Sequence, residues 1–236
     1  MTSAQLRGVV LDLSQAVVVD FPLRGEWTAV NTPARRVPSH GTNFFAQRFA
    51  IDLLQLDWTT RRPCATPAWR QWLTPVSASA FFCWGQRIYA AFAGRVVNIG
   101  DGWPDRRRVH GLWELFRIIS PLALLALPRG KNYRPLIGNF VVVEGTPGAA
   151  LYAHLQWGSL MVALGDDVDA GTYLGTVGNS GNSTMPHLHF QLMDRSNPRK
   201  ARGKLYAFRG YERYVDGVWQ QVAAGIPGHL ERVRAV

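Results

Sequence analysis

With 236 residues, 47% of them apolar and only 18% charged, the chain has the material for a sizeable globular core and falls outside the disordered and coiled-coil classes. Its 23 glycines and 14 prolines point to many short elements joined by turns, a composition that suits strands better than long helices. The formal charge of +10 favours polyanionic surroundings, but the basic residues are scattered in groups no larger than Arg106-Arg107-Arg108, without a recognition helix or an RNA-binding aromatic signature, which argues against specific nucleic-acid binding.

Residues 8–20 have strand-like composition, and 27–30 continue an N-terminal sheet after the turn at Phe21-Pro22, so 1–38 reads as N-terminal strands. The first twenty residues do not join a basic start to an unbroken apolar run and a small-residue cleavage site. No signal peptide is therefore expected, which places the chain as written in the cytoplasm, or in the cell envelope if another route exports it. Residues 31–41 are turn chemistry. The run 44–56 is strongly apolar with Asp52 inside it, and an unpaired buried carboxylate is costly, so something is expected to compensate that charge.

Residues 61–80, rich in Pro, Trp and Ser, read as an irregular connection, and 88–97 as two strands joined near a tight bend that end at the turn Gly100-Asp101-Gly102. From 109 to 127 the chain is dominated by large apolar residues, but Glu114, Arg117 and Pro121 leave it too short and too broken to span a membrane. A helical insertion over 106–137, lying beside the strands, is expected. Strands return at 139–144, 149–155, 162–166 and 173–178, and residues 206–227 form a hairpin turning at Asp216-Gly217 within a C-terminal strand extension, 195–236. The whole of 1–236 is thus expected to be a single, mainly β domain, a compact antiparallel sheet of the barrel-sandwich kind with a helical insertion. Cys64 and Cys83 make no disulfide framework; one bridge between them is open.

The most informative stretch is Pro186-His187-Leu188-His189-Phe190-Gln191-Leu192. In a strand, alternation puts both imidazoles on one face, roughly 6.5–7 Å apart along the chain, opposite Leu188 and Phe190. A pair of satisfied core histidines reads as well from this pattern as a metal site does. Asn182-Ser183-Thr184 matches a glycosylation acceptor by chance, and the glycines of 175–181 lack the Lys-Ser/Thr ending of a phosphate loop and serve tight turns. His110 and His229 have no comparable context and are expected on the surface.

Gly178-Asn179-Ser180-Gly181 through Pro186-His187-Leu188-His189-Phe190, with Tyr152-Ala153-His154-Leu155 and Gly165-Asp166-Asp167-Val168 before them, resembles the lysostaphin-type zinc metallopeptidases that cut peptide bonds in bacterial cell walls. The similarity covers residues 85–103 and 139–194. It implies His189 as a metal ligand, His187 as its catalytic neighbour and His154 as the partner of His187. The family's other two ligands are an early His and Asp, for which His40 and Asp52 are the candidates, twelve positions apart where the family's motif has four. That spacing requires residues 41–47 to loop out inside a hairpin. Asp57 is the rival, and an arginine such as Arg48 is the alternative compensation for Asp52.

One zinc ion held by His40, Asp52 and His189 would keep an open position, as catalytic zinc does, where it polarises a peptide carbonyl and activates water. His154 and His187 would then form the acid/base pair, acting on peptide or peptidoglycan substrates. Two other readings stand beside this one: a non-catalytic regulator or binding module on the same scaffold, and a two-histidine phosphocarrier, which has no use for Asp52.

Overall fold

The computed structural model describes residues 11–114 and 133–235. Strands make up most of their regular structure: β1 (Val17–Asp20), β2 (Gly25–Asn31), β3 (Ile51–Leu54), β4 (Val76–Ser77), β5 (Arg87–Tyr89), β6 (Gly94–Gly100), β7 (Arg108–Val109), β8 (Asn139–Gly145), β9 (Gly148–Leu155), β10 (Asp167–Val168), β11 (Tyr173–Thr176), β12 (Leu188–Met193), β13 (Tyr206–Val215), β14 (Val218–Gly225) and β15 (Arg232–Ala235). Helix is confined to short pieces, such as Ala68–Leu73 and Arg134–Ile137. The mainly β expectation holds.

An 11-stranded sheet runs β1-β13-β15-β2-β3-β12-β9-β8-β6-β10, with β14 on the free edge of β13, and two-stranded sheets β11-β5 and β4-β7 accompany it. Its pairs are antiparallel except β1 with β13, which run parallel. The β13-β14 hairpin turns where expected, at Asp216 (φ 49) and Gly217 (φ 87). Two successive positive φ values match the right-handed strand twist, and Asp-Gly tolerates them.

One face of the central strands holds the main core. Leu188, Phe190 and Leu192 of β12 alternate onto it beside Ile51 and Leu53 of β3. The Phe190 ring centre lies 5.3 Å from that of Tyr152, 5.2 Å from Tyr206 and 5.5 Å from Phe208. With period two, burying this set turns Asp52, His189 and Gln191 to the opposite face. There a smaller cluster, with Phe140, Val142, Leu151 and Met193, backs them.

Several local expectations are corrected. Residues 162–166 are a loop and not a strand, because Gly165 takes φ 94 and the Asp166 carboxylate accepts the Ala163 N–H at 2.8 Å, closing a turn before β10. Strand β1 begins only at Val17, since Asp12 caps a 3-10 turn over Leu13–Gln15. The stretch 61–80 is not wholly irregular: it carries the Ala68–Leu73 helix and β4. Of the segment 106–137, Arg108–Val109 pairs with β4, residues 111–114 and Arg134–Ile137 are helical, and 115–132 lie outside the described residues. No helix among the described residues is long and apolar enough to cross a membrane.

Candidate metal centre

The site is assembled by strand register. His189 of β12 pairs with Asp52 of β3, and Asp52 with Asn31 of β2, so the three stand in one row across adjacent strands. A bulge at Val30 in β2 produces that last pairing and lets Asn31 Nδ2 donate to Asp52 Oδ2 at 2.7 Å. On the other side, Ala153 of β9 opposes His189, and the next residue, His154, adopts φ 64, a left-handed conformation rare for a non-glycine residue and common at functional sites.

His40 arrives from a loop. Residues 40–47 are closed off as an excursion by Ser39, whose N–H donates to the Arg48 carbonyl at 3.1 Å and whose hydroxyl donates to Gln47 O at 3.1 Å. This is the looping-out that the twelve-residue spacing requires, and it brings His40 Nε2 to 2.9 Å from Asp52 Oδ2. Asp57 stays away, its carboxylate accepting the N–H groups of Thr59 and Thr60 in a turn. Arg48 also turns aside, donating to Asn43 and stacking over Phe49. His40, Asp52 and His189 thus present ligand atoms within 4.8 Å of one another, the one such group among the described residues.

The hydrogen bonds around the histidines fix which nitrogen carries the proton. Gln191 Nε2 donates to the Phe45 carbonyl at 2.7 Å, so its Oε1 faces His189 Nε2 at 3.0 Å and that nitrogen must be the donor. Neutral His189 therefore aims the lone pair of Nδ1 at Asp52 Oδ1, 2.9 Å away. Ser39, its own proton committed to Gln47, accepts from His40 Nδ1 at 3.0 Å and leaves the Nε2 lone pair facing Asp52 as well. Two imidazole lone pairs against one carboxylate repel unless positive charge enters between them. The donor set of two nitrogens and one oxygen, with the outer ring nitrogens tied to neighbours, fits a zinc ion.

His187 and His154 stand beside this group, their rings 4.8 Å apart. His187 Nδ1 donates to Met185 O at 2.7 Å and His154 Nδ1 to Ser180 O at 2.9 Å, so both Nε2 atoms are directed away from these anchors; that of His187 lies 3.5 Å from Asp52 Oδ1. Burial would raise the Asp52 carboxyl; without an ion between them, protons on the facing His40, His187 and His189 imidazoles take the place of that positive charge and hold the carboxyl well below the usual range. Burial pushes His187 down, and Asp52 outweighs that and raises it. Burial, then its histidine neighbours, hold His154 well below the ordinary imidazole value.

The supports around these histidines carry little signal in the sequence. Ser180, which anchors His154, donates from its hydroxyl to Leu155 O at 2.7 Å and accepts the Asn139 N–H at 2.9 Å. Ser183, in the glycosylation-like triplet, donates to Met185 O at 2.6 Å beside His187. Gln191 repeats the two-residue period of His187 and His189, a signal that was available; Asn31 and Ser39 carried none. Cys64 and Cys83 are unbridged, and burial pushes the Cys83 thiol up to about 12 while it donates to Pro186 O, so it is held as a thiol next to the His187 segment and not as a ligand. His229 is exposed, whereas His110 is half-buried beside the 111–114 helical turn. Next to Asp52 and His187 opens a cavity of about 340 Å³, which Pro63 from the 61–80 stretch helps to line.

Residues 128–201 match the model of peptidase family M23. The chain is 38% identical over 68 residues to the peptidoglycan DD-endopeptidase ShyA of Vibrio cholerae, covering 28% of this chain and 15% of that protein. It is 31% identical over 87 residues to endolysin 2638A of Staphylococcus phage 2638A, covering 36% and 18% respectively. The chain therefore spans less than a fifth of either relative's length. Among solved structures, the catalytic domain of lysostaphin from Staphylococcus simulans is similar with a TM-score of 0.37 and 19% identity, over 69% of this chain and 86% of that one. A zinc-containing peptidase from Vibrio cholerae gives 0.34 and 18%, over 80% and 38%.

Proposed function

We propose that the chain, whose residues 128–201 match the model of peptidase family M23, is a lysostaphin-type, zinc-dependent endopeptidase acting on peptide bonds of peptidoglycan cross-bridges or stem peptides. The observation that carries this reading is the convergence of the His40 and His189 lone pairs on the buried Asp52, with the His154 and His187 imidazoles alongside. Zinc bound there supplies Lewis-acid polarisation of a carbonyl and activation of water. The protein's own residues do the rest. Ser39 and Gln191 hold the ligand rings in the required tautomers. Met185 and Ser180 carbonyls keep the Nδ1 protons of His187 and His154, so each Nε2 is the atom that takes or gives a proton as the peptide bond is attacked and the amine leaves. A regulator would not need both Nε2 atoms, and a phosphocarrier would not need a carboxylate between two imidazoles. A peptidoglycan substrate supports the cell envelope, reached by another export route, as the place of this activity, and the positive charge favours approach to acidic wall polymers.

The test is incubation of the purified, zinc-loaded protein with purified peptidoglycan and with defined stem and cross-bridge peptides, followed by chromatography of the fragments. New amino termini that fail to form in the presence of chelator are expected. Intact substrates in the presence of one bound zinc per chain would contradict the enzyme reading.

A further inference from the structure

His154 is held by the segment that faces it. Its carbonyl accepts the Gly178 N–H at 3.0 Å and its Nδ1 donates to the Ser180 carbonyl at 2.9 Å, so the direction of its Nε2 depends on where residues 178–180 lie against the end of β9. One carboxylate joins those two segments. Asp105, on the loop that follows β6, accepts the Asn179 N–H with Oδ1 at 2.7 Å and the Trp157 N–H with Oδ2 at 2.8 Å. It thus ties the residue before Ser180 to a residue three positions after His154, with one oxygen for each. Its chain neighbour extends the clamp: the Arg106 N–H donates to the Asn179 carbonyl at 3.1 Å, and Asn179 Nδ2 donates to the Arg106 carbonyl at 2.8 Å. Gly178 belongs to the fit, since a side chain there would collide with the Gln156 backbone and the Asp105 carboxylate. The placement is costly, for burial raises the Asp105 carboxyl above its usual value even though both N–H groups lower it.

We infer that Asp105 is a positioning residue for His154, holding the Ser180 carbonyl where it keeps the imidazole proton on Nδ1 and leaves Nε2 free to act on the substrate. This rests on the peptidase reading and adds to it a residue that lies outside the family match of 128–201. Asp105 works through backbone alone. His154, with its φ of 64, stands where strand register no longer suffices to fix a side chain, and the two-oxygen bridge supplies the missing constraint. A shift of about 1 Å in a group that transfers a proton is enough to cost roughly 10²-fold in rate.

The experiment has two arms. In the first, zinc-loaded variants are assayed on one cleavable peptide. Asp105→Ala should lower kcat by about 10²-fold with KM within about 2-fold and zinc retained. Asp105→Asn keeps an oxygen for one of the two N–H groups and should lose less, about 10-fold. Placed on His154→Ala, the Asp105→Ala change should cost no more than about 2-fold further, because a residue that acts through His154 then has nothing to position. Asp166→Ala removes a carboxylate that closes the turn before β10 and should leave kcat and KM unaltered. A loss of the same size with and without His154, or an equal loss in Asp166→Ala, overturns the inference. The second arm needs no substrate: nitrogen NMR of the imidazoles at neutral pH. Wild-type His154 should carry its proton on Nδ1 alone; Asp105→Ala should mix in the Nε2–H form at His154 and leave His187, anchored to Met185, as it was. That result supports the positioning role even if wild type cuts no peptide, in which case the peptidase reading alone has failed; an unchanged His154 tautomer overturns the role.

Discussion

The two halves of the candidate metal centre are built by different means. Asp52, His189 and His187 lie on or at the ends of paired central strands, and His154 at the end of the next one, so register and core packing place them. His40 sits in a loop and is steered only through Ser39 and the closure at Gln47 and Arg48. His40 is also the more open of the two candidate ligand histidines, its side chain 16% accessible against 5% for His189. A site of this kind has one rigid wall and one wall that depends on a few hydrogen bonds, which is how a loop of altered length can still deliver a ligand.

The largest effect is expected where both halves meet. Asp52→Ala should remove zinc and activity together, while Asp57→Ala, in its separate turn, should keep both; metal analysis with peptide assay of the folded variants decides this, and zinc retained by Asp52→Ala would end the assignment. Next, His154→Ala and His187→Ala should each lower kcat by about 10²–10⁴-fold with zinc retained. Loss of zinc from either would make that residue a ligand and redraw the rigid wall.

Smaller effects separate the two walls. Gln191→Ala leaves the buried His189 Nε2–H unpartnered and should weaken zinc affinity toward the upper end of about 10–100-fold. Ser39→Ala should fall toward the lower end, because water can replace the hydroxyl at the more accessible His40. The reverse order, measured by competition with a chromophoric chelator, would mean that the loop is the better-held half. The smallest change is expected on stripping the metal: amide exchange should quicken across residues 40–49 and stay unchanged in β9 and β12. Equal quickening in the strands would show that zinc holds the sheet as well as the loop.

The same division explains what the sequence showed. In β12 the alternation of Leu188, Phe190 and Leu192 with His187 and His189 announces both the strand and its functional face, because period two is a local property. His40 and Asp52 belong together only through a closure made by the Ser39 hydroxyl and two backbone carbonyls, and no residue pattern encodes such contacts directly. The family match, 128–201, likewise includes His154, His187 and His189 and leaves His40 and Asp52 outside. The parallel pairing of β1 with β13 was hidden for a similar reason: it joins Val17–Asp20 to a strand at the far end of the chain. The loop at 162–166 has the composition of a strand because its apolar start outweighs the Gly165-Asp166 turn that stops it.

X-ray absorption at the zinc edge of the purified protein tests the central claim most directly, since it reports both the presence of the ion and the atoms that hold it. Two imidazole nitrogens at about 2.0–2.1 Å and a carboxylate oxygen at about 2.0–2.2 Å, with no sulfur, are expected for His40, His189 and Asp52. A sulfur shell near about 2.3 Å, or protein that takes up no zinc at all, would contradict it.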